Sequence, residues 1–140
     1  MGQKSIVIDR PVHDVFSRVT DLERAQEWAP QMGKMHLDGP LREGATMIEE
    51  RRMFGRKMNA KWSITRFEPD RAMGLSLRLG PIRGRFTYEF ESSGAGTLLT
   101  QSTDMGFAGP LGIFSPLIAS EAQREEDAEL VRLKELLERS

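Results

Sequence analysis

The chain has 140 residues, 39% of them hydrophobic and 29% charged, the make-up of one ordinary globular domain and not of a disordered chain. A net charge of −1 and a pI near 6.2 exclude a globally basic nucleic-acid binder. The lack of cysteine excludes disulfides, thiolate catalysis and cysteine-ligated metal, and two histidines, His13 and His36, leave little for a metal site built on imidazole.

In chain order, β-branched Ile6, Val7 and Ile8 predict a first strand over 4–9. Pro11 then suits the first turn of a helix, and Val12, Val15, Phe16 and Val19 form its single apolar stripe. Thr20 and Asp21 end that helix and cap a short second one over 22–28, closed by Ala29-Pro30. No basic stretch leads into the apolar run of a secretory signal, and no run is long enough to cross a bilayer. The expectation is a cytoplasmic protein without an integral membrane segment.

Between 33 and 106 the apolar period becomes two. Ala60, Trp62 and Ile64 share one face of a strand, as do Met73, Leu75, Leu77 and Leu79, and then Ile82, Gly84, Phe86, Tyr88 and Phe90. Turn signals at Asp38-Gly39-Pro40, Gly55-Arg56, Glu68-Pro69-Asp70, Gly80-Pro81 and Ser93-Gly94 divide the region into strands of an antiparallel meander, six after the first. Beyond Gly109-Pro110, residues Phe114, Leu117, Ile118, Ala122, Leu130, Leu133 and Leu137 mark one side of a long helix. At ~25 residues it is about 37 Å long, enough to cover the apolar face of a whole sheet. The stripe turns polar over 123–127.

This order resembles the START-like, or Bet v 1-like, helix-grip proteins. The local wording is similar to that of the bacterial polyketide cyclase/dehydrase and lipid-transport group. The residues that carry the likeness are Ile8-Asp9-Arg10-Pro11-Val12-His13-Asp14-Val15-Phe16, the run from Val19-Thr20-Asp21-Leu22 to Trp28-Ala29-Pro30, Gly39-Pro40 with Glu43-Gly44, Phe67-Glu68-Pro69, Gly96-Thr97 and the ending Leu133-Lys134-Glu135-Leu136. The resemblance implies an α+β helix-grip domain over 1–140, its curved antiparallel sheet of about seven strands wrapped around the C-terminal helix. It also implies an apolar cavity between the two, of the kind that takes small molecules. The expected lining is Trp62, Leu75, Leu77, Phe86, Tyr88, Met105, Phe107, Phe114, Ile118 and Ala122.

Several polar residues bear on what such a cavity does. Tyr88 is a phenol on an otherwise apolar strand face and wants a hydrogen-bond partner. Glu49 and Arg51 share a face with Met53, while Glu50 and Arg52 share the other with Phe54; either pair can point inward, and exposure near a strand end is the ordinary alternative. Gln101 and Thr103 share a face with Leu99 and Met105, opposite Ser102 and Asp104. Glu126 falls on the inner stripe of the long helix, where a carboxylate can serve as acid or base; a solvated side chain is the plainer expectation. His36 two residues from Asp38 looks like an oriented base at a surface strand end, and His13 belongs to packing or the surface.

Arg51, Arg52, Arg56, Lys57 and Lys61 form a basic hairpin with Phe54 and Trp62, which reads as a solvated tip. Gly106, Gly109 and Gly112 suit a mobile gate before the long helix and not a phosphate loop. The leading expectation is binding of a small hydrophobic molecule (lipid, isoprenoid or polycyclic aromatic) without cofactor, metal or nucleic acid, by a monomer or homodimer. A polyketide aromatase/cyclase using Tyr88, Glu126, Arg51 and Gln101 is the alternative. A protein-interaction module, like the quinone-chaperone and ribosome-inhibitor relatives, comes third.

Overall fold

Alternation of apolar and polar residues over most of the chain places one face of every strand in the core, and the strands follow from that period. The computed structural model describes residues 2–30, 32–37, 39–53, 55–107 and 115–139 and, within these, all side chains except those of 53, 107, 115–123, 125 and 126. The elements are β1 (Gly2–Ile8), α1 (Val12–Val19), a short 3-10 helix (Leu22–Glu27), β2 (Lys34–Leu37), β3 (Thr46–Met53), β4 (Arg56–Glu68), β5 (Ala72–Leu79), β6 (Ile82–Ser93), β7 (Gly96–Phe107) and α2 (Ser115–Arg139). The seven strands form one curved antiparallel sheet in the order β1-β7-β6-β5-β4-β3-β2, with α2 packed on β7 and β1. This is the expected helix-grip arrangement.

Local details differ from the sequence reading. Pro11 stands one place earlier than expected, as the N-cap of α1, with an extended ψ of 150°. Asp21 takes the N-cap position of the second helix but makes no capping bond; its carboxylate faces Arg24 at 3.8 Å instead. The segment is a tight 3-10 helix of six residues. Gly74 lies beside a bulge between Ile64 and Arg66 in β4. A Cβ there would stand 2.8 Å from Thr65 Oγ1 and 3.2 Å from Arg66 Cβ, so a larger residue would press on the side chains of the bulge.

One end of the sheet is closed by packing. Ile8, Leu99, Leu130 and Leu133 are all fully buried there, and Leu137 nearly so. Phe16 stacks against Phe67 and Phe90 at centroid distances of 5.6 and 5.1 Å. Phe90 is thus spent on this core. The α2 C-terminus is pinned to the β1–α1 corner. Glu138 accepts from Lys134 Nζ at 2.6 Å and from the Asp9 N–H at 2.8 Å, while Arg10 donates to the Glu138 carbonyl at 2.6 Å.

The Lys134 hydrogen bond, with the Asp9 N–H second, holds the Glu138 carboxyl below its ordinary value of 4.5. A lowered folded-state pKa means that the contribution is complete above that value and is lost as pH falls through the folded pKa. Glu138→Gln is therefore expected to lower Tm at neutral pH, with the gap to the parent closing below pH 4.5. A gap that stays constant through the acid range contradicts this account of the clamp.

Candidate functional site

The pairing register sorts the two faces without ambiguity. Met47, Trp62, Leu77, Gly84 and Met105 are successive partners across β3 to β7, and Ile64, Leu75, Phe86 and Thr103 form the next row. These rows lie on the inner face, toward α2, and run across the strands. Trp62, Leu75 and Leu77 are buried, whereas Phe86 and Met105 are only half-buried. Trp62 and Phe86 are neighbours, with ring centroids 5.3 Å apart. Gly84 lets Phe86 and Met105 close over its backbone: a Cβ there would meet Phe86 Cε2 at 3.0 Å and Met105 Cγ at 3.3 Å.

Two polar groups interrupt this wall. The first is Tyr88, whose hydroxyl accepts from Gln101 Nε2 at 3.1 Å, both residues being buried. They are direct cross-strand partners, so a phenol and an amide on adjacent strands meet on the same face. Thr103 is buried one position further along that face of β7.

The second group is built on β3 and corrects the expectation of an exposed strand end. Glu49 is fully buried and takes three donors. Its Oε1 accepts from Trp62 Nε1 at 2.7 Å; its Oε2 accepts from the Gly33 N–H at 2.6 Å and from Arg51 Nε at 2.8 Å. Three donors, one of them cationic, are what a buried carboxylate requires. The Arg51 side chain is 20% exposed, and among the described residues nothing accepts from its terminal amino groups. An Nε bond to Glu49 thus fixes the guanidinium while leaving its far edge available.

Gly33 belongs to the same unit. A Cβ at that position would stand 1.6 Å from the Glu50 carbonyl oxygen, so the chain entering β2 lies directly on the backbone of β3. Nothing in the sequence singled out Gly33. The Glu-x-Arg spacing was legible, but the indole that completes the carboxylate's shell lies 13 residues away on β4. Trp28 is buried as well, with Arg132 on its carbonyl at 3.0 Å and its indole N–H without an acceptor among the described residues.

The remaining candidates separate. His36 faces away from the inner wall and meets Glu50 at 3.3 Å; Asp38, its supposed partner, lies outside the described residues. His13 is exposed and bonded to Asp70 at 2.9 Å, holding the β4–β5 turn where Asp70 adopts φ 60°. The basic hairpin is split by the pleat: Arg51 and Trp62 point inward, while Arg52, Lys57 and Lys61 lie on the outer face. Phe54, Phe114, Gly109 and Gly112 lie outside the described residues, as do the side chains of Phe107, Ile118, Ala122 and Glu126. No group of three or more potential metal ligands occurs among the described residues.

Solved structures share this fold at low identity. A START superfamily protein from Mycobacterium smegmatis matches with a TM-score of 0.80 and 14% identity, over 99% of this chain and 97% of that one. Ara h 8.0201 matches at 0.79 and 10% identity, over 99% and 97% of the two chains. The Zhui aromatase/cyclase from a Streptomyces species matches at 0.76 and 12% identity, over 99% and 93%. No curated protein matches in sequence. The family model described as polyketide cyclase/dehydrase and lipid transport matches residues 2–138, and the chain, with its seven-stranded sheet and C-terminal helix, belongs to that family.

Proposed function

We propose that this protein binds a small hydrophobic molecule carrying a polar oxygen, in the space between the inner sheet face and α2. The observation that supports this most is the Arg51 guanidinium, anchored by buried Glu49 beside the apolar rows of Trp62, Leu77, Phe86 and Met105. Apolar burial, at ~25 cal/mol per Å² before ordering costs, supplies the affinity. The free edge of Arg51 supplies orientation. Because Arg51 and Glu49 together are neutral, a carbonyl or hydroxyl oxygen suits that edge better than a full anion.

A second reading, catalysis of polyketide cyclisation in the same space, draws on the Tyr88–Gln101 pair. A phenol fixed by an amide can donate to a ketone as charge develops on its oxygen. Both readings are separated by one experiment. Native mass spectrometry of the purified protein, with extraction and identification of what accompanies it, is expected to show one apolar molecule per chain. Glu49→Leu/Arg51→Met, which removes the guanidinium edge without leaving a buried charge unpaired, is expected to weaken binding of that molecule about tenfold. Unchanged affinity in that variant refutes the site. Turnover of an aromatic polyketone that is lost in Tyr88→Phe, with affinity retained, would favour the enzyme.

A further inference from the structure

The outer face of the sheet gathers more positive charge at one end than the fold uses: Arg83 donates to the Gly80 and Ile82 carbonyls and Arg85 stands opposite Asp104, but the other cations make no bond among the described residues. Lys61, Arg78 and Arg83 are successive partners across β4, β5 and β6, so three cations stand side by side about 5 Å apart. Like charges directly opposite one another destabilise a sheet. Arg85 lies in the next row, and Arg52 and Lys57 pair with each other toward the β3–β4 hairpin.

Across β3 to β7 this end of the face thus holds six cations against two carboxylates, Glu50 and Asp104, in a chain whose net charge is −1. Neither carboxylate forms an ion pair with the six among the described residues; Glu50 is engaged by His36. The outer-face acids Glu68 and Glu89 sit at the opposite end, with Arg66. A cleft of about 540 Å³ opens among Ser76, Arg83, Arg85, Asp104 and Gly106, and Ile48, 39% exposed, continues the row of Lys61.

We propose that this face docks the protein on an anionic phospholipid surface. A sheet face without aromatic side chains in these rows offers no platform for stacking bases, and a convex sheet does not wrap a duplex. A lipid surface needs neither. It supplies mobile anionic headgroups that relieve the repulsion within the cation row, and an acyl boundary for Ile48. The same end of the sheet carries the hairpin tips between which an apolar ligand would pass, so docking there brings the binding space to the membrane. The proposal itself does not depend on that ligand.

The test is co-sedimentation of the unmodified chain with phosphatidylcholine vesicles, with and without phosphatidylglycerol, at low and high salt. Binding is expected only with phosphatidylglycerol and is expected to weaken as salt rises. The variant Lys61→Gln/Arg78→Gln/Arg85→Gln removes three cations that make no bond among the described residues. It is expected to bind about 100-fold more weakly, at roughly fivefold per cation. Its Tm is expected to rise, because the like-charge row is relieved. A control that removes the same charge elsewhere, Lys4→Gln/Arg42→Gln/Arg71→Gln, is expected to keep most of the binding. Equal losses in the two triple variants, no binding to phosphatidylglycerol at low salt, or tighter binding to a single-stranded oligonucleotide than to vesicles each overturn the proposal.

Discussion

Replacing Glu49 with alanine is expected to cost about 3–5 kcal/mol of unfolding free energy, the usual result of removing one partner of a buried charge pair. Three donors lose their acceptor at once: the Trp62 indole, the Gly33 amide and Arg51 Nε. Glu49→Gln, with its carbonyl in the Oε2 place, keeps an acceptor for Gly33 and Arg51 but turns an amino group toward the Trp62 indole, and about 2 kcal/mol is expected. Urea unfolding at constant m-value measures both. Values within about 0.5 kcal/mol of the parent would show that the carboxylate carries no such burden. The double variant Glu49→Leu/Arg51→Met replaces the pair with apolar side chains of similar size and is expected to recover part of the loss, the Trp62 indole and the Gly33 amide still lacking their acceptor. It lacks the oxygen-binding edge, so ligand affinity is expected to stay low. Recovery of stability without recovery of binding separates the role of Arg51 in recognition from any role in folding.

Gly33→Ala is expected to destabilise by at least about 3 kcal/mol, beyond ordinary overpacking, because the atoms in the way are backbone. The added Cβ would lie 1.6 Å from the Glu50 carbonyl oxygen and 2.5 Å from its carbon. Neither can move without separating β2 from β3, which are paired from Lys34–Glu50 onward. The displaced Gly33 amide would also leave Glu49. The effects of Gly33→Ala and Glu49→Ala are therefore expected to be less than additive, since each breaks the same bond. Full additivity in a double-mutant cycle would show the two to be independent.

Much of the architecture could be read in advance. Helical and two-residue periods located both α-helices and the strands, and the turn residues Gly80-Pro81 and Ser93-Gly94 divided β5, β6 and β7 where the chain reverses. The inner wall was legible for the same reason: Leu75, Leu77, Phe86 and Tyr88 belong to long alternating runs whose face cannot be mistaken. Strand β3 was not. Its run Glu49-Glu50-Arg51-Arg52 carries the same charges on both faces, so the period that sorts every other strand has nothing to sort. Exposure was the natural expectation for four consecutive charges, and it failed because a carboxylate with three donors can be buried whereas an unpaired one cannot.

What the sequence by itself determined is everything that depends on local pattern: element order, the apolar faces of most strands, the family resemblance, and the lack of any cysteine for thiolate chemistry. Only the tertiary structure decided what depends on partners distant in the chain. The register of β3 against β4 turned Glu49 inward to Trp62, and the passage of Gly33 over β3 supplied the third donor. The same pleat divided one basic hairpin into an inward Arg51 and an outward row continued by Arg78 and Arg83 from other strands. The reason is physical. A side chain's direction along a strand is set by period, but the neighbours that make a charge bearable or costly come from strands whose pairing no local pattern specifies.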